Sequence, residues 1–203
     1  MSVFGKILLG VGVCTLAACS GGSFETNYAP LSSDTSRNWR VASVSVTVPN
    51  TLTVTEANSY APEADIVWRG EPAGDRYAQV DAIITEAATA GASGLRGSKP
   101  VNLVIEVAEF HALTQKTRYG VENAGVHNIA FTAQVLDART GAPLTPPSPI
   151  QADLVAYSGQ QAIEAEAEGN TQRVRIVKHV TKVIAGWLGA GPDVRGSFLR
   201  RGR

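Results

Sequence analysis

Two hydrophobic periods alternate along this sequence, and they limit its fold more than any other feature. Residues 44–48 alternate valine with serine or threonine, a period of two that predicts a half-buried strand. Over residues 76–90 the apolar side chains instead recur at spacings of three and four, which predicts an amphipathic helix capped by Asp75. The period of two returns over residues 101–107. The first strand is therefore expected to pair with a later one, with the helix as the crossover.

The rest of the chain adds two strands and a second helix. Residues 127–137 and 150–157 alternate in the same way, and residues 171–188 have the apolar spacing of a helix. Hydrophobic residues make up 44% of the chain but aromatics only 6%, so one core built from small side chains is expected. We predict a single α+β domain with the order strand-helix-strand-strand-strand-helix. Its sheet is expected to be mostly antiparallel, with the helices packed on one face.

The amino terminus has the layout of a secretory signal. Lys6 precedes an uncharged apolar run over residues 7–18, which is shorter than the roughly 20 residues that cross a bilayer. Residues 20–38 are rich in Ser, Gly, Asn and Thr, a composition typical of a spacer. We divide the chain into a signal peptide (1–18), Cys19 with a flexible tether (19–38) of about 25 Å reach, an α+β domain (39–191) and a basic disordered tail (192–203).

The end of the apolar run, Leu16-Ala17-Ala18-Cys19, resembles the lipobox of bacterial lipoproteins. That resemblance implies that the Cys19 thiol receives a diacylglycerol, that a peptidase cuts before it, and that acyl chains hold the protein on a membrane. The sorting rule of such lipoproteins then makes Ser20 favour the periplasmic face of the outer membrane, with the inner membrane as the alternative. Cys14 does not fit the pattern because the bulky Val13 precedes it. The competing interpretation is an ordinary signal peptide with an incidental cysteine.

Charge and cysteine content exclude several kinds of partner and site. The 18 cations balance 18 anions, and an exported protein does not meet the cytoplasm, so no nucleic-acid partner is expected. Cys14 and Cys19 are the only cysteines, which excludes disulfides and cysteine-ligated metals from the body of the protein. No P-loop or GxGxxG motif is present, so no cofactor is expected.

Two histidines are the strongest candidates for catalytic residues in the sequence. His111 ends one predicted strand and His127 begins the next, so antiparallel pairing can bring them together. With Glu109 or Glu122 they would form a metal site, although no close motif such as HxH or HExxH supports one. The alternative is that both are polar residues at strand ends without a chemical role.

Two groups of residues are candidates for contact with a partner or a membrane. The first lies in a glycine-rich turn and consists of Trp68, Arg69, Asp75 and Arg76. The second is the outer side of the predicted final helix, with Arg173, Arg175, Lys178 and Lys182. The alternatives are a tryptophan that plugs the edge of the core and a helix face that is simply solvated.

The lipobox, the stretch DIVWRGEPAGDR and the final RVRIVKHVTKVIAGWL together resemble a group of small bacterial lipoproteins of unknown function. That resemblance covers most of the mature chain and implies neither an activity nor site residues. The order of elements is also similar, in architecture only, to the auxiliary lipoproteins of envelope ABC transport systems.

We therefore expect a lipid-anchored, non-catalytic binding or scaffold protein of the cell envelope, with another envelope protein as its partner. A narrower hypothesis is an accessory component of lipid or outer-membrane transport, with an apolar groove or an exposed sheet edge for a partner strand. The main alternative is an envelope hydrolase or metal-dependent enzyme that uses His111 and His127 with nearby carboxylates. A pilotin-like escort of secretion machinery is a third hypothesis, which the residues do not separate from the first.

Overall fold

Residues 23–200 are the part of the chain that the computed structural model describes, and most of their helices and strands follow the hydrophobic periods. In chain order the elements are β1 (Ser23–Asn27), α1 (Ser33–Ser36), β2 (Trp39–Thr47), β3 (Ile66–Val67), α2 (Arg76–Ala92), β4 (Lys99–His111), α3 (Gln115–Gly120), β5 (Val126–Asp137), β6 (Ser148–Ala152), β7 (Leu154–Val155), α4 (Gln160–Ala167), α5 (Gln172–Trp187) and β8 (Gly196–Leu199). The strand predicted over 150–157 is divided into β6 and β7 at Asp153.

The strands form one mixed, mostly antiparallel sheet in the order β2-β4-β5-β6-β1-β8, with β3 beside β4 and β7 beside β5. β2 pairs in parallel with β4 through the crossover helix α2, as the alternating periods predict. β3 is also parallel to β4, and the other strand pairs are antiparallel. The prediction of a single α+β domain with a mostly antiparallel sheet and helices packed on it is confirmed.

The core lies between the sheet and the helix pair α2 and α5. Every second residue of β4 is buried, namely Val101, Leu103, Ile105 and Val107. Burial of one such side chain stabilises the fold by about 1.5–3 kcal/mol. The two helices approach closely at Gly91, where a Cβ would lie 2.6 Å from the Thr181 carbonyl oxygen. Thr181 also donates from Oγ1 to the Ala87 carbonyl (3.3 Å), which joins the helices directly.

The tether predicted over 20–38 is wrong from residue 23 onward. β1 is inserted between β6 and β8, so this polar segment is an interior strand of the sheet. The buried Thr26 donates from Oγ1 to the Asp153 carbonyl (2.9 Å), and the Asp153 carboxylate accepts from the Glu25 backbone N–H (3.3 Å). Backbone bonds from two neighbouring strands hold the segment, which needs no apolar period of its own for this. Residues 19–22 lie outside the described part of the chain.

The disordered tail predicted over 192–203 is also wrong for much of its length. Residues 196–199 form β8, which pairs antiparallel with β1. Phe198 stacks on Phe24 across this pair, with ring centroids 6.0 Å apart. The first and last described strands therefore lie side by side at one edge of the sheet, opposite the edge formed by β2.

Candidate functional site

Trp68 belongs to the core and has no exposed surface. Its ring meets Phe110 edge to face, with centroids 5.6 Å apart, and its Nε1–H donates to the Glu71 carboxylate (3.4 Å). Gly70 follows so closely that a Cβ there would lie 2.3 Å from the indole ring. The predicted contact between Trp68 and a partner is therefore not available in this fold, and the alternative, a plug at the edge of the core, describes its position.

The other three residues of that turn are also engaged within the fold. Asp75 caps α2 as predicted, because its carboxylate accepts from the Ala78 backbone N–H (3.1 Å). The buried Arg76 donates from Nε to Glu56 (2.6 Å), and Arg69 binds the second oxygen of the same carboxylate (3.1 Å). The hydrogen bond from Arg76 lowers the pKa of the Glu56 carboxyl. These contacts form a clamp that ties the long loop before β3 to α2, which is a structural role.

Arg173, the first residue of the predicted basic side of α5, is neutralised by carboxylates. Arg173 forms ion pairs with Glu71 and Glu86, both at 2.8 Å. Hydrogen bonding to Glu86 is the main cause of the raised pKa of Arg173. The two pairs link α5 to α2 and to the turn before it, so Arg173 stabilises the packing of the two helices and does not present a free charge.

The remaining cations of α5 differ in exposure. Arg175 is withdrawn from solvent, since its guanidinium lies 3.2 Å from the centroid of the Tyr157 ring and donates to the Val155 carbonyl (2.7 Å). Lys178 and Lys182 are exposed. Among the residues that the structure describes, neither lysine forms an ion pair. The predicted basic face therefore consists chiefly of these two lysines.

The two candidate histidines lie at the same end of the β4–β5 pair, and both are buried. His111 lies opposite Asn128, the neighbour of His127 in the chain. Burial lowers the pKa of His127 well below its ordinary value, and the charge of Arg175 lowers it further. Glu122 is used elsewhere, because its carboxylate accepts a backbone N–H at the start of α4 (3.0 Å). Within residues 23–200, no three His, Cys, Asp or Glu side chains are grouped so that they could hold a metal ion.

A polar cavity of about 10 Å³ lies beside His127, between β5, α4 and α5. Arg118 and Glu166 form an ion pair in its wall. His127 Nδ1 and Gln172 Oε1 are buried there without a hydrogen-bond partner in the described part of the protein. The volume suits about one water molecule. No pattern in the sequence marks this cluster, because its members come from distant segments.

β2 forms an edge of the sheet that no other described strand covers. A bulge at Ala42 interrupts its register with β4, and the pairing is regular from Ser43 to Thr47. Natural edge strands are usually protected by charges, prolines or covering segments. Arg40 is the only charged residue of β2, and the strand contains no proline. The edge is therefore suited to pairing with another strand.

A groove of about 500 Å³ runs between β2 and the end of α2. Val41, Val44 and Leu95 contribute apolar side chains to it. Arg40 and Arg96 also line it, and both are exposed. Neither arginine forms an ion pair with any residue between 23 and 200. The groove thus combines an apolar floor with two free positive charges.

The proposed anchor lies close to the folded body. Cys19 and the rest of the lipobox precede residue 23 and so lie outside the described part of the chain, and acylation there stays a prediction. β1 nevertheless begins at Ser23, only four residues after Cys19. None of the helices that the structure describes is long and apolar enough to cross a bilayer.

The fold and these surfaces define a single-domain α+β protein with a free sheet edge. The chain belongs to DUF6778, a family of unknown function, whose family model matches residues 39–202. This match confirms the predicted membership of a family without a known activity, but the lipobox lies outside the matched residues. No curated protein matches this sequence.

The solved structures to which this chain is similar include three bacterial proteins. A dodecameric variant of PelC from Paraburkholderia phytofirmans has 14% identity and a TM-score of 0.36, over 82% of this chain and 96% of that chain. A Xanthomonas campestris protein of the DUF330 family has 14% identity and a TM-score of 0.42, over 75% of this chain and 85% of that chain. A candidate lipoprotein from Caulobacter crescentus CB15 has 19% identity and a TM-score of 0.33, over 54% and 83%. These similarities are too low for us to transfer any property of those proteins to this chain.

Proposed function

We propose that this chain is a lipid-anchored, non-catalytic binding protein of the bacterial cell envelope. Its anchor is the acylated Cys19, which the lipobox Leu16-Ala17-Ala18-Cys19 supports, and Ser20 favours the periplasmic face of the outer membrane. Its body binds a second envelope protein through the outer edge of β2. The observation that carries the binding role is the uncovered edge of this long strand beside an apolar groove.

Binding at this edge takes the form of strand addition. An edge strand offers unpaired backbone N–H and C=O groups to an incoming extended segment. Residues 43–47 pair with β4 without a bulge. A partner strand that pairs with their outer side therefore adds one strand to the sheet. Each backbone hydrogen bond formed in this way contributes about 0.5–1.5 kcal/mol. An apolar side chain of the partner then reaches the groove, where it contacts Val44 and Leu95.

The two groove arginines specify the chemistry of the occupant. Arg40 and Arg96 carry free positive charges, so the segment that fits has a carboxylate beside its apolar residue. A second copy of this chain fits less well, because β2 reads WRVASVSVT and brings no carboxylate to pair with them. The occupant we propose is therefore an extended, acidic segment of another envelope protein.

We further propose that this binding serves lipid or outer-membrane transport as an accessory component. The membrane location that the lipobox implies and the strand-receiving edge support this narrower role. The partner would be a transport subunit whose extended segment reaches the same membrane surface.

Photo-crosslinking in the full-length lipoprotein tests the binding edge. A photoreactive residue at Ser45, on the edge of β2, is expected to give one discrete product in membranes, and the same residue at Ser197 in β8 is expected to give none. The double variant Arg40→Glu/Arg96→Glu should lower the yield about tenfold, because it reverses the charge of the groove. The matched control Lys116→Glu/Arg139→Glu changes the net charge equally at exposed sites elsewhere and should keep the product.

Two results would contradict the proposal. The first is an equal yield from both edges, or a yield that does not respond to groove charge. The second is a product made of two copies of this chain, which would replace the acidic partner by self-association.

A further inference from the structure

The pairing of β1 with β8 brings the two ends of the chain to one end of the sheet. Ser23 lies opposite Leu199, and the two strands run in opposite directions. Cys19 precedes Ser23 by four residues, so an extended chain places it at most about 14 Å away. Arg200 follows Leu199, and two more arginines follow it in the sequence. Ser23, which follows the anchor position in the chain, and Arg200 are therefore neighbours at this end of the sheet.

α5 runs beside β1 in the same direction and adds its cations to this corner. His179 Nε2 lies 3.1 Å from Thr26 Oγ1, and further along the Trp187 carbonyl accepts from the Leu31 backbone N–H (2.7 Å). Residues three and four apart share one side of a helix. Arg175, Lys178 and Lys182 therefore form a stripe along the side of α5 next to β1.

These cations lack carboxylate partners. Burial lowers the pKa of Arg175, and the nearby charge of Arg200 lowers it further. Burial also lowers the pKa of His179, and the charges of Lys182 and Arg175 add to the effect. No ion pair within residues 23–200 includes Arg175, Lys178, Lys182 or Arg200. These cations therefore keep their charges along the side of α5 next to β1, while the exposed Glu25 lies in β1 itself.

An exposed apolar residue lies in the same corner. Leu199 is 81% exposed, although large aliphatic side chains are usually buried. It follows the half-buried Phe198, which stacks on Phe24. An exposed aliphatic side chain at the edge of the body is suited to contact with the boundary of a lipid headgroup layer.

We propose that this corner, the docking surface formed by Lys178, Lys182, Leu199 and Arg200, lies on the anionic phosphate headgroups of the membrane that holds Cys19. The inference rests on the proposed function, because the acyl anchor brings the surface to the bilayer. Stable membrane attachment commonly combines acyl chains with a cluster of cations. The four-residue connection from Cys19 to Ser23 holds this corner of the body close to the headgroups. Headgroup charges attract cations over about one Debye length, roughly 8 Å at physiological salt.

This docking fixes the orientation of the whole body. The edge of β2 lies at the other side of the sheet from β8 and is directed away from the bilayer, where a partner can reach it. α4 follows β7 at the same end of the sheet as Ser23, and exposed carboxylates lie on Glu164 within it and on Glu168 directly after it. Because these are repelled by anionic lipids, the body tilts so that α5 and β8 face the bilayer and α4 turns away.

Fluorescence quenching in vesicles tests the orientation. The acylated full-length protein is reconstituted in phosphatidylethanolamine vesicles with or without phosphatidylglycerol, with a fluorophore on Ser197→Cys or, as the matched site, on Ser45→Cys. The mature body has no other free cysteine if Cys19 is acylated. We expect a nitroxide-headgroup lipid to quench the probe at 197 in anionic vesicles and not the probe at 45. Quenching at 197 should weaken in high salt.

Charge-reversal variants distinguish docking of the body on the lipid surface from attachment through the acyl anchor. Lys178→Glu/Lys182→Glu should lower the docked fraction about tenfold, and Lys178→Gln/Lys182→Gln should act in the same direction, while both variants still float with the vesicles. Arg37→Glu/Arg139→Glu has the same net charge as the first variant, at exposed sites outside both the docking surface and the groove, and should dock normally. Equal quenching at positions 197 and 45, or docking that ignores phosphatidylglycerol and the lysines, overturns the inference alone. Failure of the wild-type protein to float with vesicles refutes the acyl anchor, and the inference with it.

Discussion

Replacing His179 by glutamine is expected to reduce the loss of stability that the protein suffers in mild acid. His179 packs between α5 and β1, with Nε2 3.1 Å from Thr26 Oγ1. Burial, followed by the charges of Lys182 and Arg175, lowers its pKa to about 4. The unfolded chain keeps the ordinary pKa of about 6.5, so between pH 7 and pH 5 it takes up a proton that the folded protein does not. By linkage, the free energy of unfolding falls by about 2 kcal/mol over that interval because of this residue alone.

Urea unfolding at pH 7 and at pH 5 measures this loss. His127 acts in the same direction, because burial also lowers its pKa. Carboxyl groups with a lowered pKa, such as that of Glu56, lose their contribution mainly below about pH 4.5 and add little in this interval. We expect the His179→Gln variant to lose about 2 kcal/mol less than the wild type between the two pH values. An equal loss in both proteins would refute the assigned role of His179.

Three further predictions concern stability and are checked by urea unfolding at neutral pH. Gly91→Ala should destabilise the protein by about 1–3 kcal/mol in spite of better helix propensity, because its Cβ would lie 2.6 Å from a carbonyl of α5. Gly94→Ala is its matched control, since the nearest atom would be 3.5 Å away, and should change stability by no more than about 0.5 kcal/mol. Trp68→Ala should cost about 3–5 kcal/mol by leaving a core cavity, and a loss below about 1 kcal/mol would contradict full burial. Glu56→Gln should cost about 1–3 kcal/mol by leaving the buried Arg76 without its carboxylate, whereas an unchanged free energy would show that the clamp contributes nothing.

Elements with a strong hydrophobic period were predictable from the sequence. The strands β1 and β8, near the two ends of the described chain, were not. β4 alternates over its buried residues, and α2 combines a helical period with an aspartate cap, so local pattern alone defines both. β1 reads SFETN and buries only Thr26. Its place in the sheet depends on the backbone of β6 and β8, which lie more than a hundred residues away, and no local pattern carries that information.

The residues of the candidate sites could be selected from the sequence, but the role of each residue could not. A tryptophan in a glycine-rich turn has the same sequence signature whether it is buried or exposed, and here its position is decided by Phe110, a distant residue. Arg173 and Lys178 look alike in the helical pattern. Only the folded chain brings Glu71 and Glu86 to Arg173 while leaving Lys178 exposed. The free edge of β2 also requires knowledge of the strand order.

The shortness of the link between anchor and body changes how this protein would work. A long tether would let the domain search a volume above the membrane, whereas a body that begins four residues after Cys19 is held at the surface. A held body whose β2 edge is directed away from the membrane suits a partner that is itself fixed in the envelope. This is why the anchor, the docking surface and the edge of β2 belong to one mechanism.

Metabolic labelling with a tagged fatty acid, followed by membrane fractionation, tests the lipid-anchored account most directly. The wild-type chain is expected to carry the label and to sediment with membranes, and Cys19→Ala is expected to lose both properties. Cys14→Ala, which changes the other cysteine of the same apolar run, should behave like the wild type after processing. An unlabelled wild-type protein, or the same fractionation of the wild type and Cys19→Ala, would contradict the account.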